Sequence, residues 1–126
     1  MCLIHGDSQV EIEENLINVT LLGAFNDHAV IEVSNKIKMA IEAFEGEPFT
    51  MIINALSFNG ATPEAYMEAN KHNKWLNKKN MLGKAIVHNS RAFMELDFIY
   101  KKESLKQNIK EFSTVKEAKL WLSSLK

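Results

Sequence analysis

His88 is the side chain that the sequence best places for proton chemistry. It follows the short run Lys84-Ala85-Ile86-Val87, so it stands at the carboxyl end of a strand, where an imidazole can act as acid, base or ligand near neutral pH. Asp27 is the carboxylate that could orient it across a crevice. The plainer account is that His88 hydrogen-bonds a loop and that Asp27 caps a helix. Ser57 paired with a histidine would make a nucleophile only within hydrogen-bond reach, which no local spacing dictates. The chain carries no G-x-S-x-G elbow, phosphate-binding loop, G-x-G-x-x-G or His-Glu-x-x-His sequence. His5, His28, His72 and His88 are not spaced as a metal cluster, and Cys2 is the one cysteine. The reading therefore assigns no catalytic residue, no metal and no cofactor.

Binding surfaces are the other source of function. Lys71, Lys74, Lys78, Lys79 and Lys84 bracket Trp75, a basic and aromatic mixture of the kind that holds nucleic acid through phosphates and stacking. A solvated helix face accounts for it better, because the formal net charge is -1 and no nucleic-acid-binding motif appears. In the same segment Tyr66, Ala69, Asn70, Asn73 and Leu76 recur at helical spacing, yet they are too polar for an ordinary core stripe. Met67 and Trp75 need not face inward, which suggests a contact surface for a partner or an apolar molecule.

These residues need a scaffold, and the hydrophobic pattern supplies one. Ser8 to Glu13 alternates, and Leu16 to Leu22 resumes after Glu14-Asn15, which predicts a β-hairpin. After Gly23, the pair Asn26-Asp27 caps a helix whose apolar positions Val30, Val33, Ile37, Ala40, Ile41 and Phe44 recur at three and four. Gly46 and Pro48 stop it. Phe49 to Ile53 is an unbroken apolar run, as expected of a central strand covered on both faces. Thr62-Pro63-Glu64 reads as cap, first-turn proline and first-turn acid of a helix running to about Lys79, ended by Asn80 to Gly83. Lys84 to His88 is the next strand, and Asn89-Ser90 caps a helix carrying Phe93, Met94, Leu96, Phe98 and Ile99. Asn108 to Phe112 is a further strand, and the capping box Thr114-Val115-Lys116-Glu117 opens a last helix with Ala118, Trp121, Leu122 and Leu125 as its core stripe.

The resulting order, ββαβαβαβα, is an α/β fold: an opening hairpin, then alternating helices and strands in a mostly parallel sheet with right-handed crossovers. The 126 residues suit one domain, 1–126, with no repeat or linker dividing it. A hydrophobic share of 46% with 25% charged residues is globular composition, and no transmembrane segment is predicted. The near-neutral charge gives no global pull toward nucleic acid or anionic lipid. A lone cysteine, and a start, Met1 to Asp7, without basic leader or long apolar stretch, lead to the expectation of a reducing, cytoplasmic setting.

The whole layout resembles the STAS (sulphate transporter and anti-sigma-factor antagonist) fold, and most closely its SpoIIAA-like branch of small stand-alone bacterial proteins. The most specific local piece is Glu111-Phe112-Ser113-Thr114 through Glu117-Ala118 to Trp121-Leu122, which looks like that branch's last strand and closing helix. In anti-sigma-factor antagonists the loop after the central strand carries an Asp-Ser pair whose serine a partner kinase switches. Here that stretch reads Asn54-Ala55-Leu56-Ser57-Phe58-Asn59-Gly60-Ala61-Thr62, without the pair, so the resemblance carries over the place and not the chemistry.

The expected function is thus a non-catalytic STAS-like binding or regulatory module. It contacts a protein partner or a small apolar ligand through the Ser57 to Thr62 loop and the following helix, with Ser57, Phe58, Asn59, Thr62, Tyr66, Trp75 and His88 as binding residues. A second copy of the chain is one candidate partner, and nucleic acid is disfavoured. The alternative is a small enzyme with its site at the strand ends around His88.

Overall fold

The computed structural model describes residues 6–89 and 106–125. The expected helix carrying Phe93, Met94, Leu96, Phe98 and Ile99, its cap residue Ser90, and Cys2 and His5 at the start lie outside the described residues.

Strand β1 (Asp7–Glu13) folds back through Glu14-Asn15 onto β2 (Leu16–Phe25) as an antiparallel pair, with Glu13 opposite Leu16. Glu14 takes φ 55°, the left-handed backbone that closes so short a turn. Helix α1 (Asp27–Glu42) follows, then β3 (Phe49–Ala61), α2 (Pro63–Leu76), β4 (Met81–Val87), β5 (Ile109–Phe112) and α3 (Val115–Ser123). Among the described residues the five strands lie in sequence order, with β2 through β5 all parallel. The fold class read from the sequence is therefore the observed one, and β3 is central as expected.

Sequential parallel strands joined by right-handed crossovers send both connecting helices to one face of the sheet. Accordingly Ile17, Val19 and Met51 pack with Ala29, Val33, Ile37 and Ile41 of α1 and Leu76 of α2. The alternating neighbours Ile52, Ala85 and Val87 point the other way and pack with Ala118 and Leu122 of α3. Gly83 lies on that second face, and a Cβ there would run into Leu125 and Trp121, so the glycine lets α3 seat on β4.

Each described helix start has the cap that the sequence predicted, with one adjustment. Asn26, not Asp27, accepts the Ala29 N–H, and Asp27 is the first helical residue. Thr62 accepts from the Ala65 N–H with Pro63 in the first turn. Thr114 Oγ1 accepts from the Glu117 N–H and donates back to the Glu117 carboxylate at 2.9 Å. On α3, Leu122 is 2% exposed whereas Trp121 is only half-buried, its ring tilted on Phe112 at 5.7 Å, so the fully buried Trp121 expected from the stripe is corrected to a rim position.

The main departure from the sequence reading is at the end of β3. Ser57 to Ala61, expected as a loop, continues the strand and stays paired with β2: Ser57 opposite Leu22, Phe58 opposite Gly23, Ala61 opposite Phe25. Two register shifts, between Thr20 and Leu22 and between Gly23 and Phe25, let β3 spend extra residues against β2 without leaving it. Asn54 Oδ1 accepts the Leu56 N–H at the first, and Gly60, at φ 112°, sits at the second. The polar and glycine residues that read as loop chemistry are thus bulge chemistry. Pairing of β4 with β3 ends at Asn54 and pairing of β1 with β2 ends at Leu22, so past Leu22 and Ser57 the strands β2 and β3 run on as a two-stranded ribbon.

Candidate functional site: a cavity between the helices and the sheet

That ribbon matters because of where it goes. Phe58 and Ala61 turn onto the α1/α2 side and, with Phe25, form one wall of a cavity of about 160 Å³. The sheet supplies the floor through Val19, Leu21, Met51, Ile53, Lys84, Ile86 and Ile109. Helix α1 contributes Val30, Val33, Ser34 and Ile37, and α2 contributes Ala65, Tyr66, Ala69, His72 and Asn73. The α2 residues are spaced at three and four, so one stripe of the helix lines the cavity for about 12 Å, at 1.5 Å per residue. Tyr66, Ala69 and Asn73 come from the stripe that looked too polar for core, and they face this space, whereas Leu76 of that stripe is packed in the core and Asn70 is outside the lining.

The two ends of the cavity differ. At the start of α2 the walls are apolar, and Phe58 meets Phe25 with ring centroids 5.7 Å apart. At the other end lie His72, Asn73 and Lys84. Lys84 is 6% exposed, and its Nζ donates to Asn73 Oδ1 at 2.9 Å. Gln107 Nε2 donates to the same oxygen at 3.3 Å, which fixes the orientation of the Asn73 amide. Among the described residues, neither nitrogen of His72 has a hydrogen-bond partner, although both are buried. Burial first, then the positive charges of Lys84 and Lys38, push its pKa down to about 3. At neutral pH it is an uncharged imidazole with one N–H to donate and one nitrogen to accept. Its ring stacks on Trp75 at 5.8 Å, and the ammonium groups of Lys38 and Lys79 lie 5.1 and 4.8 Å from the centre of the Trp75 ring.

Of the residues expected to bind, the structure brings Phe58 and Tyr66 into the cavity wall. Ser57, Asn59 and Thr62 are exposed on the ribbon and the helix start beside it. Ser57 is on the strand and removed from the α2 N-terminus, whereas the Thr62 hydroxyl is the cap itself. Trp75 packs behind His72 and does not line the cavity, while Met67 on the outer side of α2 is 59% exposed. The strand-end segments Gly23 to Asp27 and Ser57 to Thr62 lie side by side, tied by the Thr62 N–H donating to the Phe25 carbonyl at 3.0 Å. His88 follows β4 as expected, is 8% exposed and has Nε2 3.5 Å from a Glu111 carboxylate oxygen, outside the cavity lining.

The basic cluster around Trp75 is not one surface. Lys84 belongs to the cavity, and Lys71 pairs with Glu68 at 3.0 Å. His72, Asn73 and Lys84 form the polar end that the sequence reading did not assemble. A signal was present in Lys84 itself, a charged residue at the head of a run that is otherwise apolar to Val87 and at the middle of β4. Among the described residues, no helix is long and apolar enough to cross a membrane.

No family model matches the chain, and no curated protein matches it. Solved structures do. An uncharacterized protein of the DUF3478 family with a SpoIIAA-like fold, from Shewanella loihica, superposes with a TM-score of 0.67 at 13% identity, over 97% of either chain. An anti-sigma factor antagonist from Mycobacterium paratuberculosis gives 0.68 at 11% identity, over 94% of either chain. The Bacillus cell fate determinant SpoIIAA in its phosphorylated form gives 0.62 at 20% identity, over 92% of this chain and 99% of its own. Coverage this complete at identities this low is a likeness of backbone alone, and it establishes that the chain has the SpoIIAA-like fold of the STAS domains.

Proposed function

We propose that the protein is a non-catalytic binding module whose ribbon and second helix hold a small apolar ligand and present the occupied state to a protein partner. The observation that carries this reading is the partly open cavity of about 160 Å³ between the sheet and its two helices, with Phe58 and Tyr66 in its wall. Interiors are close-packed as a rule, and an apolar cavity of about 150 Å³ is enough for one benzene. The ligand is accordingly a single ring or a short chain. Exposed Ser57, Asn59 and Thr62 sit on the elements that contribute that wall, so a ligand that orders the wall also orders this outer surface. Regulation through protein contact is the part taken from similar folds, two of which are anti-sigma factor antagonists by name or by description.

The test is titration of the purified chain with ethylbenzene, followed by amide chemical shifts. The expected result is saturable shifts concentrated in Leu21 to Phe25, Ser57 to Ala61 and Pro63 to Leu76. Absence of any saturable shift at the solubility limit overturns the ligand reading. The partner reading is checked by affinity capture with wild type and with Asn59→Arg and Thr62→Arg. Loss of a captured protein in folded variants is expected, and an unchanged set overturns it.

A further inference from the structure

With Lys84 assigned to the cavity and Lys71 paired with Glu68, the lysines around Trp75 still include one that the sequence does not place there. Lys38 of α1 reaches across to α2, and its ammonium lies 5.1 Å from the centre of the Trp75 ring. The ammonium of Lys79, three residues past the end of α2, lies 4.8 Å from the same centre. The two charges are therefore no more than about 10 Å apart, about one Debye length at 0.1 M salt, so screening between them is incomplete. Among the described residues neither has a carboxylate partner. A ring that holds a cation over its face explains one lysine, but a second ammonium adds repulsion to the first. Lys79 also answers the negative end of α2, whereas the last turn of α1 contains no basic residue and Lys38 stands short of it. The charge of Lys38 is felt nearby, as one of the causes that keep His72 uncharged.

We infer that this end of α2 is a docking surface for an acidic stretch of a protein partner, whose neighbouring carboxylates sit on Lys38 and Lys79. Charge complementarity carries the inference: carboxylates seated here relieve the repulsion and give both ammonium groups charge-assisted hydrogen bonds. Lys74, Lys78 and Lys79 are exposed, so the surface is open to a macromolecule. A single-stranded nucleic acid would match the charges but not the ring. Trp75 is only partly exposed, with His72 stacked on it and two ammonium groups over it, which leaves a base no open face to stack on. Trp75 lies about 20 Å along α2 from Thr62, at 1.5 Å per residue, so this surface is separate from the ribbon and does not rest on the cavity being filled.

Blocked hexaglutamate is the probe, with hexaglutamine and a thymidine hexanucleotide for comparison. Binding is read at low salt from amide shifts and from Trp75 fluorescence in a Trp121→Phe chain, where Trp75 is the one remaining tryptophan. Hexaglutamate is expected to give saturable changes centred on Lys38, Trp75 and Lys79, and hexaglutamine none. Lys38→Gln and Lys79→Gln should each weaken binding about twofold to fivefold, the worth of an exposed ion pair, and the double variant about tenfold. Lys79→Arg, which keeps the charge, should bind as wild type does. Each variant is first shown to be folded by circular dichroism. If Lys38→Gln does not fold, Lys79→Gln, at an exposed position, decides alone. No saturable change with hexaglutamate, or equal binding by wild type and the glutamine variants, overturns the surface. Tighter binding of the hexanucleotide overturns the acidic-peptide assignment in favour of nucleic acid. Ethylbenzene should bind Lys79→Gln as it binds wild type, so failure here and failure of the cavity reading are told apart.

Discussion

Protonating His72 in the folded chain means placing a charge in a buried site that Lys84 and Lys38 already make positive. Its folded pKa, about 3, lies below the ordinary value of 6.5. Between those values the unfolded chain takes up a proton that the folded chain refuses, so stability is whole above pH 6.5 and drains away as pH falls toward 3. The loss is at most about 1.4 kcal/mol per pH unit. Urea unfolding of wild type and His72→Leu at pH 7 and pH 5 separates this contribution from that of the carboxylates. Wild type is expected to lose about 1 to 2 kcal/mol more than the variant over that interval. Equal losses would show that His72 reaches water or a partner that keeps it chargeable. At this scale Phe58 and Tyr66, which line the cavity, were legible as candidates because aromatic side chains in polar surroundings stand out. His72 and Lys84 were not, because their significance comes from being brought to one end of a cavity by α2 and β4, which sequence spacing does not join.

Elements were read well where local chemistry decides them and poorly where pairing does. Thr62 and Thr114 announced their helices, and both hydroxyls do accept the expected N–H. The end of β3 was misread because Asn54, Asn59 and Gly60 serve bulges as readily as loops, and only the presence of β2 alongside chooses between them. Periodicity likewise identifies the stripe of α3 without telling its centre from its rim. Leu122 is 2% exposed and enclosed by Ile52, Ala85, Val87 and Ala118, while Trp121 leans on Phe112 and the surface of Gly83. Leu122→Ala should therefore cost about 3 kcal/mol, within the range for a fully buried leucine. Trp121→Ala should cost about 2 kcal/mol, less than the 3 to 5 of an enclosed tryptophan, because part of the residue is open to water. Chemical denaturation that ranks Trp121 above Leu122 would mean that α3 sits on the sheet in a different rotation.

For the molecule as a whole, the cavity is a departure from the consistency that otherwise runs through the chain, where pattern, caps and strand order all point to one fold. Its α2 wall keeps Ala65 and Ala69 where larger apolar residues would pack against Ile53 and Met51. Unfilled space costs dispersion contacts, so a core without a binding role gains by closing it. Ala69→Leu places three carbon atoms into that space from the middle of the helix. It replaces one strong helix former with another, so its effect reports on the cavity and not on α2 itself. If the space is held open for a ligand, the variant should be more stable than wild type by about 1 kcal/mol in chemical denaturation. It should also no longer bind ethylbenzene. Both changes are required, since a variant that gains stability and still binds would place the ligand elsewhere. One that loses stability would show that the wall cannot take a larger side chain without moving the ribbon that carries Phe58.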